Sequence, residues 1–257
     1  MIGVAGCGRM GAPMLASMRK AGFTACGFDV RSDTEVPTED LIEIPEAFAE
    51  KITTLISVVR DINQTNALLF DTQKFAKAPN LKRIIICSTL SPNYLHDIRH
   101  KIPAHISLVD APMSGAQIAA RNGKLSFMLG GDPKDLDEIQ PMLDAMGTHF
   151  HRMGPYASGM QAKVLNNLLA ASNTAMTRLV LEWADQTSLD QDKLLELIQT
   201  SSGQNWFASG FGNIEFSKDG ISNDNSIGIL VKDVQSALDS APETANQALP
   251  MAVQSAL

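Results

Sequence analysis

Cysteine is scarce in this chain: Cys7, Cys26 and Cys87 are the only three among 257 residues. They are too few and too scattered for a disulfide framework or a zinc site. Each falls in a strand-like segment, so the sequence predicts buried free thiols, no metal centre and a reducing compartment. Positive charge is also in deficit, with 21 Lys plus Arg against 28 Asp plus Glu and a net charge of -7. With no basic run to reverse this locally, a nucleic-acid surface and a polybasic membrane anchor are excluded. No apolar stretch approaches the ~20 residues of a membrane span. The N-terminal MIGVAGCGRMGAPM has no basic leader and runs straight into a strand-like segment, so a cytoplasmic protein is expected.

What is present is a globular composition, 44% hydrophobic and 19% charged. The length allows one large domain or two. Up to about Gly154, short apolar runs alternate with amphipathic ones. MIGVAG, TACGFDV, ITTLISVV, RIIICST, HISLVDAP and KLSFMLGG read as strands; MGAPMLASMRKAG, Pro45 to Glu50, Ile62 to Phe70, Pro92 to His100 and Pro133 to Met146 read as helices. This alternation predicts an α/β fold with a mostly parallel sheet covered on both faces. Beyond Ser158 the apolar positions Val164, Leu165, Leu168, Leu169, Met176, Leu179, Val180 and Trp183 recur at three and four, the period of a helix. The second half is expected to be all-helical, opening with one long helix from about Ser158 to Gln186. TSSGQNWFASGFGN and SKDGISNDNS read as loops.

Three stretches carry chemistry. Gly6-Cys7-Gly8-Arg9-Met10-Gly11 is a GxGxxG between a strand and a helix, where glycines serve a tight turn, close approach to a pyrophosphate and helix–strand packing. The helix start adds N–H groups and a partial positive charge for phosphates. Asp29, at the end of the next strand, is placed to accept hydrogen bonds from ribose hydroxyls and to repel a 2′-phosphate, favouring NAD over NADP. Arg31, two residues on, pulls the other way by offering a cation to that phosphate. A flavin, or a glycine-rich turn without a ligand, also satisfies the pattern. The second stretch is Asp110-Ala-Pro-Met-Ser114-Gly115-Ala116, a loop beyond a strand end where a serine hydroxyl and a glycine N–H suit a carboxylate. By itself it reads rather as a turn capped by Ser114, an ordinary structural role. In the third stretch, GMQAKVLNN, Lys163 and Asn167 share a helix face with Gly159, which is expected to make room for a ligand. A half-buried ammonium near a positive nicotinamide can exchange a proton with a hydroxyl near neutral pH. A snorkelling lysine beside surface asparagines is the bland alternative, but asparagine is a poor mid-helix residue and two in succession need a reason. Asn166 has no evident role.

With GVAGCGRMGAPM, CSTLSP, DAPMSGA, NGKLSFMLGG, KVLNN and LVKDV in that order over nearly the whole length, the chain resembles the β-hydroxyacid dehydrogenases. The resemblance implies an NAD-binding Rossmann domain over residues 1–157, then a helical substrate and dimerisation domain over 158–257. A long interdomain helix joins them, with the active site in the cleft between. It implies an NAD(P)-dependent oxidoreductase interconverting a small 3-hydroxy acid and its semialdehyde, working as a homodimer or homotetramer. Lys163 corresponds to the catalytic lysine; Ser114, Gly115 and Asn167 to residues that hold the substrate. For the cofactor, Gly6, Gly8, Arg9, Met10 and Gly11 form the phosphate turn, and Asp29, Val30 and Arg31 follow the second strand. Val59 and Arg60 correspond to a Leu-Pro pair lining the cofactor, Thr89 to a neighbour of the nicotinamide, and Lys232 to a lysine that closes over it. Asp29-Val30 is similar to the NAD-using members, whereas NADP-using ones usually carry Asn-Arg there.

Ala116 replaces the usual glycine of the serine loop, Arg60 replaces the proline, and the family normally continues beyond MAVQSAL, all of which bear on substrate and activity. Two competing readings are a non-catalytic NAD-binding sensor and a 6-phosphogluconate dehydrogenase-like enzyme. The latter lacks support because Asn166-Asn167 and Ala170 stand where that enzyme carries a His-Asn pair and a glutamate. The imine-reducing branch generally replaces the lysine that Lys163 retains.

Overall fold

The computed structural model describes residues 1–214, 217 and 226–257. They form two compact units, Met1–Lys163 and Val164–Leu257.

The first unit is an eight-stranded sheet with helices on both faces. Its strands are β1 (Ile2–Ala5), β2 (Ala25–Phe28), β3 (Thr54–Ser57), β4 (Arg83–Ile86), β5 (Ser107–Asp110), β6 (Met113–Ser114), β7 (Leu125–Gly130) and β8 (Gly147–Gly154). They are ordered β2-β1-β3-β4-β5-β7-β6, with β8 paired to β7. Strands β1 to β5 run parallel. The chain reverses direction across the sheet between β1 and β3, so the end of β1 lies at a topological switch point, where ligands bind in such sheets. Adjacent strand residues serve opposite faces. Val4, Ile56, Ile85 and Val109 pack with helices α1 (Gly11–Lys20) and α6 (Pro133–Asp144). Their neighbours Ala5, Leu55, Ile84 and Leu108 pack with α2 (Pro45–Lys51), the turns that follow α3 (Ile62–Asn66), and α4 (Pro92–Lys101). The six strands and five helices expected from the alternation are all present. Two strands and one helix are additional: β6, β8 and α5 (Ala116–Arg121).

The long helix α7 (Ser158–Gln186) has the expected span. The second unit adds α8 (Gln191–Gln199), α9 (Trp206–Gly210), α10 (Ser226–Asp239) and α11 (Ala248–Ala256), with no strand among the described residues. Its core is Ala171, Ala175, Phe207, Val234, Val253 and Leu257. The expected loop TSSGQNWFASGFGN is corrected in part. Asn205 caps α9 by accepting hydrogen bonds from the N–H groups of Phe207 and Ala208, and Phe207 is buried, so packing overrides the loop-like composition. Most of SKDGISNDNS lies outside the described residues.

The three cysteines are free and buried. Burial raises the Cys26 thiol to about 11 and Cys7 to about 12, which keeps both protonated. Among the described residues, no helix is long and apolar enough to cross a membrane.

Candidate active site

The carboxyl ends of the parallel strands lie level. Ala5 pairs with Phe28 and with Ser57, Ser57 with Ile86, and Ile86 with Asp110. The segments leaving those ends carry the candidate residues: the glycine turn after β1, Asp29 after β2, Val59 and Arg60 after β3, Thr89 after β4 and the serine loop after β5. One edge of one sheet therefore gathers every candidate of the first unit except Lys163, which α7 brings in.

The glycines of the turn each answer a steric demand. Gly6 has φ +93°, and a Cβ there would lie 2.7 Å from the Val58 carbonyl oxygen. At Gly11 a Cβ would lie 2.0 Å from the Gly6 carbonyl oxygen, so glycine lets α1 start tight against the turn. Gly8 differs: beyond its chain neighbours, only the Arg31 guanidinium comes within 4 Å of a Cβ built there. An open backbone at the middle glycine, before the first turn of α1, fits the pyrophosphate of a dinucleotide. Arg9 and Val30 are exposed and Met10 is half-buried.

Asp29 is already paired. Its Oδ1 accepts hydrogen bonds from the backbone N–H of Arg31 at 2.9 Å and from Arg31 Nε at 3.2 Å, and its Oδ2 accepts from Nη2 at 3.2 Å. The Asp29 side chain is only 6% exposed, while that of Arg31 is 54% exposed. Hydrogen bonding to Asp29 and its charge raise the Arg31 pKa further. Val59 packs partly into the core below. The backbone N–H of Arg60 donates to Gln64 Oε1, with Asp61 capping α3. Thr89 is half-buried between Ser88 and Leu90.

Lys163 is 7% exposed, and its Nζ donates a hydrogen bond to Ser114 Oγ at 3.0 Å. Two stretches that the sequence could only list separately thus meet. Gly115 has φ +132°, and a Cβ there would strike Ala119 at 2.5 Å. Ala116 follows with φ +52°, a left-handed conformation that costs a non-glycine residue about 1 kcal/mol. Ala116, which stands where the resembled family usually has glycine, is therefore held in a backbone shape suited to glycine.

Asp110 was missed as a site residue. It is fully buried; Oδ1 accepts from the Ala157 N–H at 2.7 Å and Oδ2 from the Met160 N–H at 2.6 Å. Burial raises its pKa to about 7, against the opposing pull of those N–H donors. It ties the end of β5, where the serine loop begins, to the head of the helix that carries Lys163. An acid closing the apolar run HISLV was the available signal. The reading of Gly159 as room for a ligand is corrected: a Cβ there would lie 2.4 Å from the Met128 carbonyl oxygen and 2.9 Å from Asp110 Oδ2. That glycine lets the start of α7 sit against β7.

In the second unit, Asn167 is 8% exposed and its Nδ2 donates to Asp233 Oδ2. Asp233 is buried on α10 and also accepts from Lys232 Nζ at 2.7 Å. Exposed Asn166 donates to Asn167 Oδ1 at 3.3 Å, which gives Asn166 a partner and Asn167 a second hydrogen bond. Asp233 was also missed; its signal was an acid within the apolar LVKDV.

Residues 1–154 match the family model described as the NAD binding domain of 6-phosphogluconate dehydrogenase. Residues 157–256 match the one described as NAD-binding of NADP-dependent 3-hydroxyisobutyrate dehydrogenase. The human mitochondrial 3-hydroxyisobutyrate dehydrogenase is 28% identical over 255 residues, covering 95% of this chain and 76% of the human protein. An NAD-dependent L-serine dehydrogenase of Pseudomonas aeruginosa is 29% identical over 211 residues, covering 78% of this chain and 70% of its own. Among solved structures, 3-hydroxyisobutyrate dehydrogenase from Salmonella typhimurium superposes with a TM-score of 0.82 at 21% identity, covering 99% of this chain and 91% of that one.

Proposed function

The chain belongs to the β-hydroxyacid dehydrogenase family and is an NAD(P)-dependent oxidoreductase, and on that premise we propose that it interconverts a small 3-hydroxy acid and the matching semialdehyde. The observation that carries this reading is the 3.0 Å contact between Lys163 Nζ and Ser114 Oγ. In a 3-hydroxy acid one carbon separates the carboxylate from the hydroxyl-bearing carbon. A carboxylate held by Ser114 Oγ and the Gly115 N–H therefore brings the hydroxyl to the neighbouring ammonium site. A nicotinamide held beside Val59, Arg60 and Thr89 would supply the hydride acceptor, or the donor in the reverse direction. Oxidation of the alcohol also releases one proton, which neutral Lys163 takes up at Nζ; in the reverse direction the ammonium returns it.

Asn167, its amide fixed by Asp233 and Asn166, is assigned to substrate binding. The turn from Gly6 to Gly11 is assigned to the pyrophosphate, with Arg9 and Met10 within it. Asp29, Val30 and Arg31 are assigned to the adenosine ribose, Val59, Arg60 and Thr89 to the nicotinamide side, and Lys232 to the cofactor. In this reading residues 1–157 carry the cofactor and residues 158–257 serve the substrate and self-association. A homodimer or homotetramer is supported by the exposed Leu165, Leu169, Met176 and Trp183 along α7. A cytoplasmic setting is supported by the three free thiols.

Steady-state assays with a panel of small 3-hydroxy acids and their semialdehydes test the reading. Turnover is expected with at least one 3-hydroxy acid and is expected to be lost when the carboxylate is replaced by an amide. Turnover confined to 2-hydroxy acids or simple alcohols would refute it.

A further inference from the structure

We propose that Asp110 is a positioning residue for the reaction: by holding the head of α7 it fixes where the Lys163 ammonium stands relative to Ser114. A helix start leaves up to four N–H groups without partners in the helix. Ala157, the residue before α7, has no side-chain oxygen to cap them and is itself left-handed at φ +78°. The fully buried carboxyl group of Asp110, 47 residues back in the chain, takes that place. Oδ1 accepts from the Ala157 N–H, Oδ2 accepts from the Met160 N–H, and the Gly159 N–H adds a third donor. Two glycines leave it room. A Cβ at Gly130, which pairs with Asp110 across β5 and β7, would strike Oδ1, and one at Gly159 would come within 2.9 Å of Oδ2. The helix head has a second attachment, on the side of β4, where the Leu90 N–H donates to Met160 Sδ at 3.3 Å.

Lys163 lies on the next turn of the same helix, so a shift of the head is carried to its Nζ. Ser114 is held by other means. It pairs with Ser126, and its neighbour Met113 with Phe127, in the ladder between β6 and β7. Loosening Asp110 therefore displaces the proton carrier and leaves the carboxylate anchor in place. A misplacement of about 1 Å between reacting groups costs about 100-fold in rate. The loss belongs in kcat, because the contacts that hold the substrate carboxylate do not pass through α7.

The inference rests on the reading of Lys163 as the proton carrier. A double-mutant cycle tests it: kcat and KM are measured for the wild type, Asp110→Asn, Lys163→Ala and the double variant on a 3-hydroxy acid that the wild type oxidises. The dissociation constant for NAD serves as the check of folding. Asp110→Asn is expected to lower kcat by about 100-fold, with KM and NAD binding within about threefold of wild type. In the Lys163→Ala background the same change is expected to cost less than about threefold, because the group it positions is gone. Met160→Leu keeps the side-chain volume and removes the sulfur that the Leu90 N–H meets, and is expected to lower kcat by about fivefold. It decides the matter should Asp110→Asn not fold, since wild-type kcat in Met160→Leu would then overturn the proposal. A loss from Asp110→Asn that is as large without Lys163 as with it marks a merely structural role and also overturns it, as does a kcat for Asp110→Asn within about threefold of wild type. Wild-type kcat in Lys163→Ala would instead refute the reading of Lys163, and the proposal with it.

Discussion

Asp110 joins two opposing demands on one carboxyl group. Burial disfavours its charge and lifts the pKa from the ordinary 3.8 to about 7, while the N–H groups of Ala157 and Met160 are partners that suit an anion. An acid whose pKa is higher folded than unfolded keeps its proton longer in the folded chain. Between about pH 4 and about pH 7 the native state then binds more protons than the unfolded one, so this group's contribution to stability falls as pH rises through that window. Asp110→Asn removes the titration and turns an NH2 toward a backbone N–H, a cost of about 1–3 kcal/mol. Urea unfolding of both proteins from about pH 4.5 to about pH 8 should show the wild-type advantage shrinking as pH rises. An advantage that does not vary with pH would contradict the account. The sequence marked Asp110 only as an acid closing an apolar strand; the distant N–H groups that meet it gave no sign there.

At the level of elements, the head of α7 sits against β7 because Gly159 has no side chain. A methyl there would meet the Met128 carbonyl oxygen at 2.4 Å, and backbone does not give way as a flexible side chain does. Gly159→Ala is therefore expected to destabilise by about 1–3 kcal/mol and to move Lys163 away from Ser114. Thermal unfolding together with kcat checks this; a variant of wild-type stability and activity would show that the helix does not need that approach. The long helices and parallel strands were legible because their apolar periods are unambiguous. Gly147–Gly154 was missed as a strand because THFHRM is mostly exposed, so no apolar run marks it. Gly159 was misread for a related reason: a glycine that packs against backbone and one that faces a ligand look alike in sequence.

For the whole molecule, the parallel strands explain why residues far apart in sequence share an edge. Gly6, Asp29, Val59, Thr89 and Ser114 each follow a strand whose end is level with its neighbours, so the order of motifs already implied their gathering. What the sequence could not give was the pairing of charges, and the fork between Asp29 and Arg31 is the instance. The central claim is that Lys163 carries the proton of alcohol oxidation, and Lys163→Ala tests it most directly. With a substrate identified from the 3-hydroxy acid panel, kcat is expected to fall by at least about 1,000-fold, within the range lost with a general acid or base, while the dissociation constant for the dinucleotide changes by less than about threefold. Retention of kcat within about tenfold of wild type, with cofactor binding intact, would contradict the account.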